Sequence, residues 1–104
     1  MTTETESIYR ECDGREVIKQ IGVMNLLTIS GGRAEIRPTG VTLKVGHGYS
    51  VEVDLNSMDL YNVKRVWTRG DKRVVKGEQT DVYFTEVGEV AYRASCYVNV
   101  EFGE

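Results

Sequence analysis

The chain is poor in the residues that usually announce chemistry. It has one histidine, one tryptophan, one proline and two cysteines in 104 residues. A single histidine, His47, cannot form a histidine pair for a metal, and no cluster of other ligands stands near it in sequence. Set between Gly46 and Gly48 it reads as an exposed turn residue. The two cysteines, Cys12 and Cys96, lie far apart in sequence, and only a long-range disulfide could join them. Cys96 falls near the end of an apolar-periodic segment and reads as a small buried hydrophobe. No run approaches the roughly 20 apolar residues needed to span a bilayer. The longest apolar-rich stretch, residues 21–29, is broken by Gly22, Asn25 and Thr28. Residues 1–6 are acidic and polar, unlike a secretory signal, so the expectation is a cytoplasmic protein with free thiols.

Phosphate and acid–base chemistry also find little support. Ser30-Gly31-Gly32-Arg33 lacks the spacing and the strand–loop–helix setting of a phosphate loop, and reads as a turn. The carboxylate pairs Glu52/Asp54 and Glu86/Glu89 fall on expected wet faces, without the burial that would tune a general acid. The expectation is a protein that is not an enzyme and holds no cofactor or metal.

What the chain does contain is alternation and turn chemistry, with glycine eleven times. Ala34 and Ile36 alternate with charged residues before a Pro38-Thr39-Gly40 turn. Val41, Leu43 and Val45 follow, then a turn at Gly46-His47-Gly48, then Val51, Val53 and Leu55. Three period-two segments joined by turns predict an antiparallel meander with one wet face. Residues 60–68 and 72–76 extend it by two strands around Arg69-Gly70-Asp71. A helix is expected over residues 8–21, with Asp13 as N-cap, Glu16 three residues on and Gly22 at its end. Residues 23–29 fit helix or strand. Tyr83, Val87, Val90, Ala91 and Ala94 recur at spacings of three and four, predicting a second helix capped by Asp81 or Thr85. Residues 1–7 are expected to be frayed, and 97–102 to form an edge strand or strap.

The chain is thus expected to form a single α+β domain. An antiparallel β-meander of about five strands is covered on one face by an N-terminal and a C-terminal helix.

The charge is small overall, at −3, but segregated. Lys64, Arg65, Arg69, Lys72, Arg73 and Lys76 fall within thirteen residues, opposed there only by Asp71. From Glu78 onward six acids face Arg93 alone, and the first sixteen residues are acidic too. Such segregation fits contact with a protein, including another copy of the chain. A basic hairpin beside Trp67 also fits nucleic acid, with the indole stacking on a base. The bland alternative is an ordinary edge hairpin whose cations discourage strand addition. Tyr61, Lys64, Arg65, Trp67, Arg69, Lys72 and Arg73 are the candidate partner-binding residues. Tyr61, Val63 and Trp67 share one strand face and fit core packing as well.

Three stretches carry a family resemblance: VIKQIGVMNLLTISGGRAE at 17–35, DLYNVKRVW at 59–67, and VKGEQTDVYFTEVGEVAYRASCYVNVEFG at 75–103. Together they resemble small proteins of actinobacterial phages, mycobacteriophages especially, and of other mobile elements. In those, an ILEQIG stretch followed by AISGG precedes a short meander, and a DxYxV strand leads to a hairpin and helix. The resemblance implies a protein made inside a bacterial cell and no particular reaction.

Overall fold

The computed structural model describes residues 11–96. The segments read as a frayed start, 1–7, and as a terminal strand or strap, 97–102, lie outside the described residues. Two short helices come first: α1 (Gly14–Ile21) and α2 (Val23–Ser30). The Asp13 carboxylate accepts from the Arg15 amide at 3.0 Å, satisfying one of the free donors at the α1 N-terminus. Residues 11–13 are not helical, so the helix begins at Gly14, later than the expected residues 8–21, of which 8–10 are not described.

Gly22, at φ 95°, ends α1 with its N–H on the Ile18 carbonyl and at once begins α2. The segment that fitted helix or strand is therefore helix. Thr28 and Ser30 each return a side-chain hydrogen bond to the carbonyl four residues back along α2, and Asn25 reaches across Gly22 to the Ile21 carbonyl at the end of α1. Gly31, left-handed at φ 68°, closes α2.

Five strands follow: β1 (Glu35–Arg37), β2 (Gly40–Gly46), β3 (Tyr49–Leu55), β4 (Tyr61–Arg69) and β5 (Lys72–Val82). They form one antiparallel sheet in chain order, with the last helix, α3 (Val87–Cys96), packed back on it beside α1 and α2. The α+β meander read from alternation is the architecture found, and among the described residues two helices precede the sheet where one was expected. None of the described helices is long and apolar enough to cross a membrane.

The register Val41↔Val53↔Val63 and Leu43↔Val51 puts one row of side chains under the helices. There they meet Val17, Ile21, Leu26, Ile29, Val90 and Ala94 in a single buried cluster. Each such valine or leucine contributes about 1.5–3 kcal/mol by leaving water.

Two boundaries differ from the sequence reading. β5 runs on from the expected 72–76 to Val82, through two bulges against β4. As an edge strand it is solvated over most of its length and shows no apolar alternation. Consequently α3 starts at Val87, not at Tyr83. Asp81 belongs to β5, at φ 58°, and accepts from Asn56 Nδ2 at 3.0 Å, so it does not cap the helix. Thr85 lies in the preceding turn.

Small residues on α3 allow its close approach to the sheet and the other helices. A Cβ built on Gly88 would stand 2.3 Å from the Ile21 carbonyl oxygen and 2.6 Å from Asn25 Nδ2. Gly88→Ala would gain about 1 kcal/mol of helix propensity, but backbone that cannot yield adds about 1–3 kcal/mol of overpacking. The variant is expected to unfold at lower denaturant concentration than the parent. A higher midpoint would show that the helices do not meet there.

Candidate functional site

The seven candidate residues of the basic hairpin do not share one surface. Side chains alternate across a strand, and cross-strand partners point to the same face. On β4 the helix-side row is Tyr61, Val63, Arg65, Trp67, Arg69, and the opposite row includes Lys64. On β5, Val74 pairs with Trp67 and Lys72 with Arg69, whereas Arg73 pairs with Thr68 on the open face. Trp67, Arg69 and Lys72 therefore stand together, and Lys64 and Arg73 lie on the other side of the sheet.

Two of the seven are interior. Tyr61 is 6% exposed and belongs to the core cluster. Burial, with smaller contributions from Cys12 and Glu16, raises its phenol above the usual tyrosine value. Arg65 is likewise 6% exposed. Its guanidinium donates to the Ala94 carbonyl at the C-terminal turn of α3 and lies 4.2 Å above the Tyr49 ring. The carbonyl end of a helix and an aromatic face are both attractive to a cation, which compensates part of the cost of burying it. Tyr61 and Arg65 thus offer no surface to a partner.

Beyond Arg65 the helix-side face opens. α3, ten residues long, measures ~15 Å at the helical rise of ~1.5 Å per residue. β4, nine residues long, measures ~30 Å at ~3.3 Å per residue. The helix covers only part of the strand, and its last turn stops over Arg65. The next rung is Tyr49, Trp67 and Val74, side by side across β3, β4 and β5. Tyr49 and Trp67 are half-buried, and Val74 is 40% exposed. The indole rests against Gly48, where a Cβ would come within 3.0 Å of Nε1. Arg69 and Lys72, both exposed, form the following rung. The result is an aromatic and aliphatic ledge with two cations along its outer rim.

The open face is organised by its own ion pairs. Arg73 reaches across β4 to Glu52 on β3, with Nη2 2.5 Å from Oε1. Arg73 stands opposite Thr68 and Glu52 opposite Lys64, so the bridge crosses β4 over Val66, which lies midway on the same face. Val66 is fully buried. Farther along, Arg37 Nη1 pairs with Asp54 at 2.8 Å, and Thr39 donates to the same carboxylate oxygen at 2.7 Å. Asn56 bridges Asn62 and Asp81 at 3.0 Å each. These groups hold one another in place.

The isolated reactive residues are scattered. His47 sits in the β2–β3 turn at φ 56°, exposed. Cys12 and Cys96 are free thiols, the first half-buried and the second exposed, in contrast to the buried Cys96 read from sequence. Burial, then Asp54 and Asp13, push the Cys12 thiol up, against a smaller pull from Arg37. Among the described residues no three of His, Cys, Asp and Glu gather as a metal site. The carboxylates Glu52 and Asp54 are partnered by arginines, and Glu86 and Glu89 are exposed.

Sequence reading missed Tyr49 and Val74 as parts of the ledge. The signal for Tyr49 was present, since it continues the 51–53–55 alternation backward toward the turn. Val74 could be assigned only from the β4–β5 register.

Two consequences are measurable. Arg65→Ala removes a charged donor from a buried carbonyl and leaves a void, and is expected to cost about 2–3 kcal/mol in denaturant unfolding. Lys72→Ala, on the exposed rim, is expected to change stability by less than about 0.5 kcal/mol; equal losses would contradict the burial assigned to Arg65. In the folded protein, a thiol-specific reagent at mildly alkaline pH is expected to label Cys96 quickly and Cys12 slowly. Equal rates would contradict the environment described for Cys12.

Compared with protein-family models, with curated proteins and with solved structures, the chain matches none of them.

Proposed function

We propose that this chain is a small non-enzymatic interaction protein that binds another protein through the Trp67 ledge. The observation that supports this most is the placement of Tyr49, Trp67 and Val74 in one partly exposed row, with Arg69 and Lys72 beside it. Large aromatics bordered by arginine or lysine are the usual composition of an interface hot spot, with the ring supplying area and the cations supplying orientation. The partner face that fits is acidic, with an apolar or aromatic anchor to lie on the indole.

The same geometry disfavours nucleic acid. Tracking a phosphate backbone needs several cations along one stripe. Here Arg65 is buried against α3, Arg73 is paired with Glu52, and Lys64 points to the opposite face. The resemblance to phage proteins extends the reading: the partner is a phage or host protein in a bacterial cytoplasm.

Trp67 is the sole tryptophan, so its emission reports directly on the ledge. A partner recovered from bacterial lysate is expected to shift and protect that emission. Trp67→Ala is expected to weaken binding by at least ~2 kcal/mol, about thirtyfold. Arg69→Glu with Lys72→Glu is expected to weaken it further as salt is lowered, whereas Lys44→Glu on the open face leaves it unchanged. Binding that survives the ledge variants, or that Lys44→Glu removes, would rule the ledge out. A salt-dependent shift of DNA or RNA abolished by the rim variants would replace the protein reading with the nucleic-acid one.

A further inference from the structure

The end of the molecule opposite the ledge carries its complement. β5 leaves the ledge at Lys72 and ends at Val82, with its ends paired to Arg69 and Tyr61 of β4, so its eleven residues and two bulges span no more than the ~30 Å of that strand. The extents of the molecule are 36, 30 and 25 Å, so the two ends of β5 lie at opposite ends of the sheet. Directly after Val82 the chain turns through Tyr83 and Phe84, each 60% exposed, before entering α3. Phe84 and Tyr83 are among the most exposed large apolar side chains in the described residues. Glu86 and Glu89, both exposed, follow them at the start of α3. One pole is thus an aromatic ledge rimmed by Arg69 and Lys72; the other is an aromatic knob bordered by two carboxylates.

Resting on the reading of the ledge as a protein-docking surface, we infer that its partner is a second copy of this chain. The Tyr83–Phe84 knob of one copy seats on the Trp67 ledge of the next, with Glu86 and Glu89 facing Arg69 and Lys72. Several features favour this occupant. The charges are opposite in sign, and rings are exposed on both surfaces, where offset or edge-to-face packing is favourable. The two surfaces also lie at opposite poles. One molecule cannot satisfy its own ledge across the length of β5, so the contact has to be intermolecular. Because knob and ledge are different surfaces, each contact leaves a free ledge on one copy and a free knob on the other, and the assembly inferred is head to tail, a ring or an open chain of copies; two copies closed reciprocally would stop at a dimer.

The edge strand itself is a poorer route to association. Lys72, Arg73 and Lys76, with two bulges, interrupt the outer edge of β5 against regular strand addition.

The test is sedimentation or light scattering of the full chain across micromolar to millimolar concentration, at low and high salt. Two assembly-blocking variants accompany it: Arg69→Glu with Lys72→Glu on the ledge, and Phe84→Ser with Glu86→Gln on the knob. All four positions are exposed, so both variants are expected to retain the parent circular dichroism and unfolding midpoint. The parent mass is expected to rise beyond twice the 11.7 kDa of one chain as concentration increases, and to fall as salt increases. Each variant alone is expected to remain monomeric. Mixed together they retain one intact knob and one intact ledge, and are expected to form a one-to-one dimer and nothing larger.

A parent that stays monomeric throughout would overturn the self-association. It would leave the ledge reading to be decided by Trp67-dependent capture of a different protein. Assembly that persists in either variant, or a mixture that remains monomeric, would overturn the head-to-tail geometry. A mixture that grows past the dimer would overturn it as well.

Discussion

The arrangement depends on the pairing of β4 with its two neighbours. A pleated strand sends consecutive side chains to opposite faces, so a slip of one residue would exchange the two faces entirely. As paired, Val63 meets Val53 beneath the helices, Arg65 meets the end of α3, and Trp67 meets Tyr49 and Val74 past the helical cover. The same pairing lifts Lys64 and Arg73 to the other face, where Arg73 closes with Glu52 over Val66. One register therefore determines which cations stabilise the fold and which remain for contact. What holds it is the burial of the valine row; a slipped pairing would put Arg65 and Lys64 on the wrong sides of the sheet.

Arg65 marks the boundary between the packed part of the helix-side face and the open part. A buried guanidinium is costly unless its charge is compensated. Here the carbonyl of Ala94 and the ring of Tyr49 provide compensation without any carboxylate among the described residues. The arrangement ties the last turn of α3 to the middle of the sheet and steadies Tyr49, its neighbour on the ledge. Rigid support of this sort lowers the entropy lost when a surface aromatic is covered by a partner. The proposed docking ledge thus borrows its order from a fold-stabilising contact one rung away.

Much of the architecture was legible because the strands that build the core alternate cleanly. Val41/Leu43 and Val51/Val53, each pair bounded by turn residues, specify both strands and face. Asp13 and Gly22 marked the ends of α1 for the same local reasons that they cap it. The failures also have local causes. Residues 23–29 are apolar enough to suit either period, and it is the helical backbone bonding, with the Leu26 N–H on the Gly22 carbonyl, that distinguishes them. Gly77, Glu78 and Gln79 belong to a bulged edge strand, where neither face is selected for burial, so the continuation of β5 left no pattern. The hairpin cations formed one cluster in sequence because proximity along a chain ignores the pleat. Sorting them into Arg65 inside, Arg69 and Lys72 on the ledge, and Lys64 and Arg73 opposite required the register.

The most direct test of that register is nuclear Overhauser spectroscopy on the folded chain, read at the backbone protons of β3, β4 and β5. The account predicts cross-strand contacts linking Trp67 to both Tyr49 and Val74, and Thr68 to Arg73. Hα–Hα or amide–amide contacts that pair Trp67 directly with Arg73, or Arg65 with Glu52, would place the indole and the hairpin cations on different faces from those described. The ledge would then not exist.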